Sequence, residues 1–341
     1  MASTPLARPV TRPEEIPELG GDHSWARAWK DLRGRLNRAV PLETLKELHR
    51  KRPALHFAIA ARQFAMLFAA SAVAWLFREP WIWIPAALVS GWTVFNFTVL
   101  LHEVLHRCVW NDPKPRAERL LAILYAVPSG ISALQFTRWH LTHHAELGDE
   151  EADPKRHYLT PKIVRPWFKL LYFTPVLFPI YFRAARKETA SYPETLQRRI
   201  RRERLATIAF HLALMAALYV LGGSGVLGRV YLVPVFLVFP IAFALNRLGQ
   251  HYAIDPTDPA KWGSVIKPSR WWDFWYLYSA YHLEHHYFTG VPFYNLRRLH
   301  FALRPFWDEI DWKPVTYGRL FRAWIFQNKT PHTDWRLDLV G

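Results

Sequence analysis

Apolar and polar residues are sorted along this chain into long blocks rather than short alternations. Residues 1–54 are polar and basic, rich in Arg and Pro, and read as a peripheral arm with a helix over residues 43–50. Apolar runs follow at 55–77, interrupted by Arg62, and at 81–101, which carries no charge. The second run, 21 residues long, is enough at about 1.5 Å per residue to cross a bilayer core of roughly 30 Å. Arg62 is placed to snorkel toward an interface. The break Arg78-Glu79-Pro80 between the runs predicts a helical hairpin. A second hairpin is predicted from apolar runs at 205–222 and 230–245, joined by Gly222-Gly223-Ser224-Gly225. Runs at 120–136 and 167–182 are short or broken by Pro or Gly, and are expected to lie at the interface. The pattern as a whole predicts an all-α integral membrane protein. About four transmembrane helices form two hairpins, with interfacial helices and a cytosolic histidine-rich cap. It also divides the chain into the basic arm, 1–54, and a membrane domain, 55–341.

Charge orients this arrangement. Lys and Arg number 44 against 28 Asp and Glu, a net charge of +16. The basic residues concentrate in 1–54, 183–204 and 247–341, whereas the tight turns near Arg78 and Gly225 carry few. The positive-inside rule therefore places both termini in the cytosol. Residues 1–50 lack the apolar core of a signal peptide, in keeping with a cytosolic N-terminus. A basic surface suits membrane lipid or an acidic protein. No zinc-finger spacing or RNA-recognition motif points to nucleic acid. The run Arg198-Arg199-Ile200-Arg201-Arg202 fits a solvated basic helix as well as a lipid or partner contact. Cys108 is the single cysteine, which excludes an internal disulfide framework and thiolate metal clusters. A metal here is held by nitrogen or oxygen.

Histidine supplies the nitrogen. Of 16 histidines, His102 and His106 form an HxxxH run, while His140, His143 and His144, and His282, His285 and His286, form two HxxHH runs. On a helix, positions i, i+3 and i+4 project from one side, so each box presents its imidazoles together. At roughly 5% histidine, two HxxHH boxes are about a one-in-a-thousand accident. Eight imidazoles exceed what one tetrahedral ion uses, so two metal ions sharing them is the economical solution. His251 follows the last apolar run and joins the candidates, and Asn246 stands close enough to reach the site directly or through water. Both even-numbered spans run inward, so every box is delivered to the same face.

At these boxes the chain resembles the membrane fatty acid desaturase family, whose members carry HxxxH, HxxHH and HxxHH in this order. The stretch Tyr281-His282-Leu283-Glu284-His285-His286-Tyr287-Phe288, with Gly290-Val291-Pro292 and Asn295-Leu296 after it, is similar to the third box of acyl-chain desaturases. The resemblance covers most of residues 57–300. It implies two Fe ions held by His102, His106, His140, His143, His144, His251, His282, His285 and His286. It further implies O2 as co-substrate and an acyl chain, linked to CoA, a carrier protein or a lipid, as substrate. No His-Pro-Gly-Gly cytochrome b5 motif is present, so a separate donor such as ferredoxin or cytochrome b5 is implied. Related families use similar boxes to hydroxylate alkanes and lipids or to oxidise carotenoid rings. Gln250-His251-Tyr252 is similar to the Glu-His-Tyr of alkane hydroxylases, with Gln in place of Glu. Metal-bound histidines are commonly oriented by carboxylates or carbonyls; Glu103, Glu146, Asp149, Asp153, Asp273 and Glu284 lie near the boxes, although each also serves to balance basic charge.

Two other classes compete. His102-Glu103-Val104-Leu105-His106 also satisfies HExxH, the zinc protease motif, but leaves six box histidines without a role. A metal transporter would want polar residues in its spans, and these have few. The aromatics Trp271, Trp272, Phe274, Trp275, Tyr276, Tyr278, Tyr281, Tyr287 and Phe288 suit either an interfacial belt or a substrate channel. His23, His49, His56, His157, His211, His300 and His332 read as structural or surface residues.

Overall fold

The computed structural model describes residues 23–339, so residues 1–22 of the basic arm lie outside the described range. Among the described residues there is no strand, only isolated bridges at Ala253 with Thr333 and Ile266 with Val315. Among the described residues, two helices precede the first apolar run: α1 (Ser24–Ala39) and α2 (Leu42–Leu48). Leu32, Leu36, Leu45 and Leu48 from these helices enter the main apolar cluster.

The first hairpin is α3 (Pro53–Leu76) and α4 (Pro80–Leu105). Each opens on a proline, where the missing N–H would have had no helical partner. Both are apolar on all sides, the mark of a helix surrounded by protein or lipid. They differ in what surrounds them: α4 is mostly enclosed and α3 mostly exposed. Phe68, Leu76 and Trp81 are 67%, 72% and 75% exposed. Water penalises such surface and hydrocarbon does not. Polar residues inside this layer are paired between helices, Asn96 Nδ2 donating to Gln63 Oε1 at 3.0 Å.

α5 (Pro115–Ala126) and a short turn lead to α6 (Ala133–Ala145), bent by 96° from the segment before it. The reversal falls at Gly130, whose φ of 70° is left-handed. Ser132 Oγ caps α6 by accepting from Gln135 N–H. α7 (Pro166–Leu170) and α8 (Leu177–Ala190) follow, short as their interrupted composition predicts.

α9 (Glu194–Leu227) continues through a π-helical stretch, Gly228–Val238, into α10 (Phe239–Leu248), 55 residues in all. A straight helix would put His211 and Tyr231 about 30 Å apart. Instead the Tyr231 hydroxyl donates to His211 Nδ1 at 2.7 Å. The chain folds back at Gly223, with φ 73° and ψ −177°. Both predicted hairpins are therefore present, the second turning within the glycine-rich run. Pro53–Leu76, Pro80–Leu105 and the folded-back Glu194–Leu248 are long and apolar enough to cross a membrane.

Short helices close the chain: α11 (Arg270–Trp275), α12 (His282–Tyr287), α13 (Phe293–Ala302), α14 (Arg304–Glu309), α15 (Tyr317–Phe321) and α16 (Arg336–Leu339). Tyr276, Leu283, Phe293 and Phe306 from this cap are fully buried in the main cluster. The aromatic group splits accordingly. Trp271 and Phe274 are exposed, whereas Tyr276, Tyr281, Tyr287 and Phe288 are core.

Candidate metal centre

Four elements bring histidines to one place. α4 ends on its His102 turn, with His106 closing the helix and Arg107 in the left-handed region at φ 55°. α6 carries the second box and α12 the third, and His251 follows the end of α10. All nine predicted histidines meet, and they meet in two sets. His102, His106, His140, His144 and His285 form one, and His143, His251, His282 and His286 the other. Within each set one ring nitrogen per residue lies within 4.8 Å of the others. The two sets touch, since the His144 and His286 rings stack with centroids 4.0 Å apart.

Helix geometry explains the division. Positions i and i+4 differ by about 40° around an α-helix, whereas i+3 and i+4 differ by about 100°. An HxxHH box thus sends its i and i+4 imidazoles to one set and its i+3 imidazole to the other. His140 and His144 separate from His143 in this way, and His282 and His286 from His285.

The donor sets fit metal ions. His282 Nε2 lies 2.9 Å from His251 Nε2, which lies 3.1 Å from His286 Nε2, itself 3.2 Å from His282 Nε2. His251 Nδ1 donates to the Trp262 carbonyl at 2.6 Å, so its Nε2 is bare. Mutual hydrogen bonds among these nitrogens cannot satisfy all three, but one cation can. Bonds of about 2.1 Å at 90–109° put donors about 3.0–3.4 Å apart. In the first set His140 and His106 Nε2 are 3.0 Å apart, and His285 and His144 Nε2 3.2 Å. His143 Nε2 is buried with no protein partner, while Asp153 Oδ2 accepts from His143 Nδ1 at 2.8 Å.

Burial sets the protonation. It holds His106, His140, His143, His144, His282 and His286 well below the ordinary histidine range, His251 at about 4 and His285 at about 3. These imidazoles are neutral at pH 7, the form that binds metal. Lys155 Nζ is 3.0 Å from His140 Nδ1. Ligation through His140 Nε2 requires a proton on Nδ1, so Lys155 must then accept as a neutral amine. Burial lowers the Lys155 ammonium in that direction.

Of the six acids near the boxes, Asp153 meets a box histidine directly, and Glu103 lies 3.7 Å from His102 Nδ1 while accepting from Phe293 N–H at 3.0 Å. Glu284 contacts His300, Glu146 contacts His23, Asp273 pairs with Arg297, and Asp149 accepts from the turn N–H of Ala152. His300 is buried rather than superficial. His23, His49, His56, His157, His211, His300 and His332 lie outside both sets. Sequence reasoning missed Lys155 and the Trp262 carbonyl. The basic run after box two could have raised Lys155; a backbone carbonyl leaves no mark in sequence. A cavity of about 100 Å³ reaches His102, His140, His282 and His285. Apolar Val99 and Leu296 line it, and polar Asn246, Ser279 and Tyr281 face it. Asn246 Nδ2 donates to Ser279 Oγ at 2.8 Å and thus is engaged within the cavity wall.

Fold and site together define a helical protein with membrane-length apolar helices and a buried polyhistidine centre able to hold metal. The family model for fatty acid desaturase matches residues 79–318, and the chain belongs to that family. It is similar to the sphingolipid delta(4)-desaturase/C4-monooxygenase DES2 of Bos taurus, 25% identical over 298 residues, covering 81% of this chain and 84% of the relative. The DES2 of Homo sapiens is 24% identical over 294 residues, with the same coverage, 81% and 84%. A shorter match, 29% identical over 76 residues (21% of this chain, 24% of the relative), is to the sphingolipid delta(4)-desaturase DES1 of Drosophila melanogaster. The chain is thus an oxidoreductase of the lipid desaturation and hydroxylation group, which leaves no place for the HExxH protease reading.

Proposed function

We propose that this protein is an O2-dependent di-iron enzyme that introduces a C=C bond into a lipid acyl chain. The observation that carries this is the sorting of nine imidazoles into adjoining sets of five and four. In this reading all nine are ligands, five on one ion and four on the other. Bound iron would supply O2 activation and hydrogen removal from an unactivated C–H, which redox-inert zinc does not. The chain's own residues do the rest. Asp153 and the Trp262 carbonyl fix the tautomers of His143 and His251. Val99, Phe293 and Leu296 wall the cavity against water.

The relatives' names carry both desaturase and monooxygenase, so hydroxylation is the second reading, and sphingolipids are the first substrates to try. The basic distribution supports a cytosolic centre with both termini inside, and an acidic ferredoxin or cytochrome b5 as the separate electron donor. Two measurements test the proposal. Metal analysis of purified protein should give two irons per chain; one zinc would overturn the reading. Lipid profiling of a host with and without the gene should show new unsaturation, whereas new hydroxyl or keto groups would assign hydroxylase or ketolase chemistry. His143→Ala should abolish turnover with membrane insertion intact.

A further inference from the structure

A second cavity, open along one side, lies among the apolar helices; Phe68, Leu76 and Leu120 of its lining are 67%, 72% and 70% exposed. Its volume is about 1110 Å³, and it sits between α3, α5, α9 and the stretch after Gly228. Its lining follows α3 from Phe64 to Leu76 and α9 from Glu203 to Leu218. The latter is about 22 Å of helix, longer than one leaflet of a roughly 30 Å bilayer core. Its titratable groups Glu203, His211 and Tyr231 are already answered within the protein. Glu203 accepts from Leu134 N–H at 3.0 Å and from Ser132 Oγ at 2.6 Å. His211 accepts from the Tyr231 hydroxyl and donates to the Val127 carbonyl at 2.8 Å. Nothing there calls for a polar ligand, and the helices around it admit hydrocarbon.

The two cavities stand back to back. On α4, Val94 faces the large cavity and its neighbour Phe95 the small one; on α6, Ala133 and Phe136 divide in the same way. The small cavity, about 100 Å³ beside the 1110 Å³ of the large one, is the one that reaches the histidines. A molecule that fills both spaces across a shared wall has two hydrocarbon arms.

We propose that the large cavity holds the non-reacting chain of a two-chain lipid substrate, whose other chain enters the cavity at the histidines. The substrate part rests on the desaturase reading; occupancy by a hydrocarbon chain does not. The test is photolabelling of the purified, full-length protein with a ceramide whose sphingoid base is saturated and whose amide-linked chain bears a diazirine, beside a single-chain fatty acid bearing the same group. The ceramide should label the peptide containing Leu214 and Leu218 saturably, well above the peptide around exposed Leu237, which is outside the cavity. Thr207→Trp, which obstructs the space beside Leu214 and Leu218, should remove most of that labelling, and the milder Thr207→Leu should reduce it. Equal labelling at Leu237, or labelling indifferent to both variants, would mean bulk lipid and overturn the proposal. Equally efficient labelling by the fatty acid would make the cavity a single-chain path, which also overturns it. Iron content and product are read separately. Saturable labelling without oxidation of the ceramide by iron-loaded protein supplied with O2 and a reduced ferredoxin or cytochrome b5 would overturn the substrate assignment, whereas protein that takes up no iron would overturn the desaturase reading.

Discussion

Asp153 decides more at the centre than its place in the sequence suggests. It is buried, and its carboxylate meets His143 Nδ1 at 2.8 Å, which leaves Nε2 directed into the second donor set. Asp153→Asn keeps the size and removes the charge. Loss of such an orienting partner costs about 10–100-fold in metal affinity, to be read by chelator competition with helical content unchanged. Unaltered affinity would show that His143 does not depend on this contact. The box histidines were legible because their residue type and spacing carry the chemistry. Asp153 was one of six acids of equal standing, and distance alone separated it from Glu146 and Asp149. The Trp262 carbonyl was not legible at all, because any residue offers one.

At the scale of elements, α4 is the axis on which the others are assembled, and Gly91 shows how closely. A methyl group there would meet the Pro234 carbonyl oxygen and the Val238 side chain, the latter at 2.5 Å. Overpacking of this kind costs about 1–3 kcal/mol, so Gly91→Ala should lower the thermal midpoint in detergent. Gly318→Ala, where a methyl meets nothing within 4 Å, should not; equal effects would remove the close approach from the explanation. Hydrophobic runs located the hairpins well because burial in protein or lipid demands them. They mark only the apolar part of the helix that begins at Glu194, since backbone hydrogen bonding continues through the basic turns around Arg198 regardless of polarity. The 96° bend before α6 was likewise not readable, because Gly130 permits a reversal without fixing its angle.

For the whole molecule, gathering nine imidazoles in one interior has a consequence for acid stability. Burial holds His251 at about 4 and His285 at about 3, below the ordinary 6.5. The unfolded chain therefore binds more protons in that window. The contribution of these imidazoles to the stability of the metal-free protein is full above 6.5 and is lost as pH falls toward those values. Denaturant unfolding of metal-free protein between pH 7.5 and 4.5, a range spanning most of that window, checks the sign; a flat profile would contradict the neutral, buried state. By itself the sequence determined the helical class, both hairpins, the membrane-length apolar runs and which nine histidines stand out as a set for the fold to gather. Each follows from local periodicity or from residue chemistry that survives without knowledge of distant neighbours. Only the tertiary structure decided how the imidazoles divide into five and four, which acid orients which ring, and that two cavities share one wall. Those are distances between residues far apart in the chain, and they are fixed by packing rather than by any local pattern.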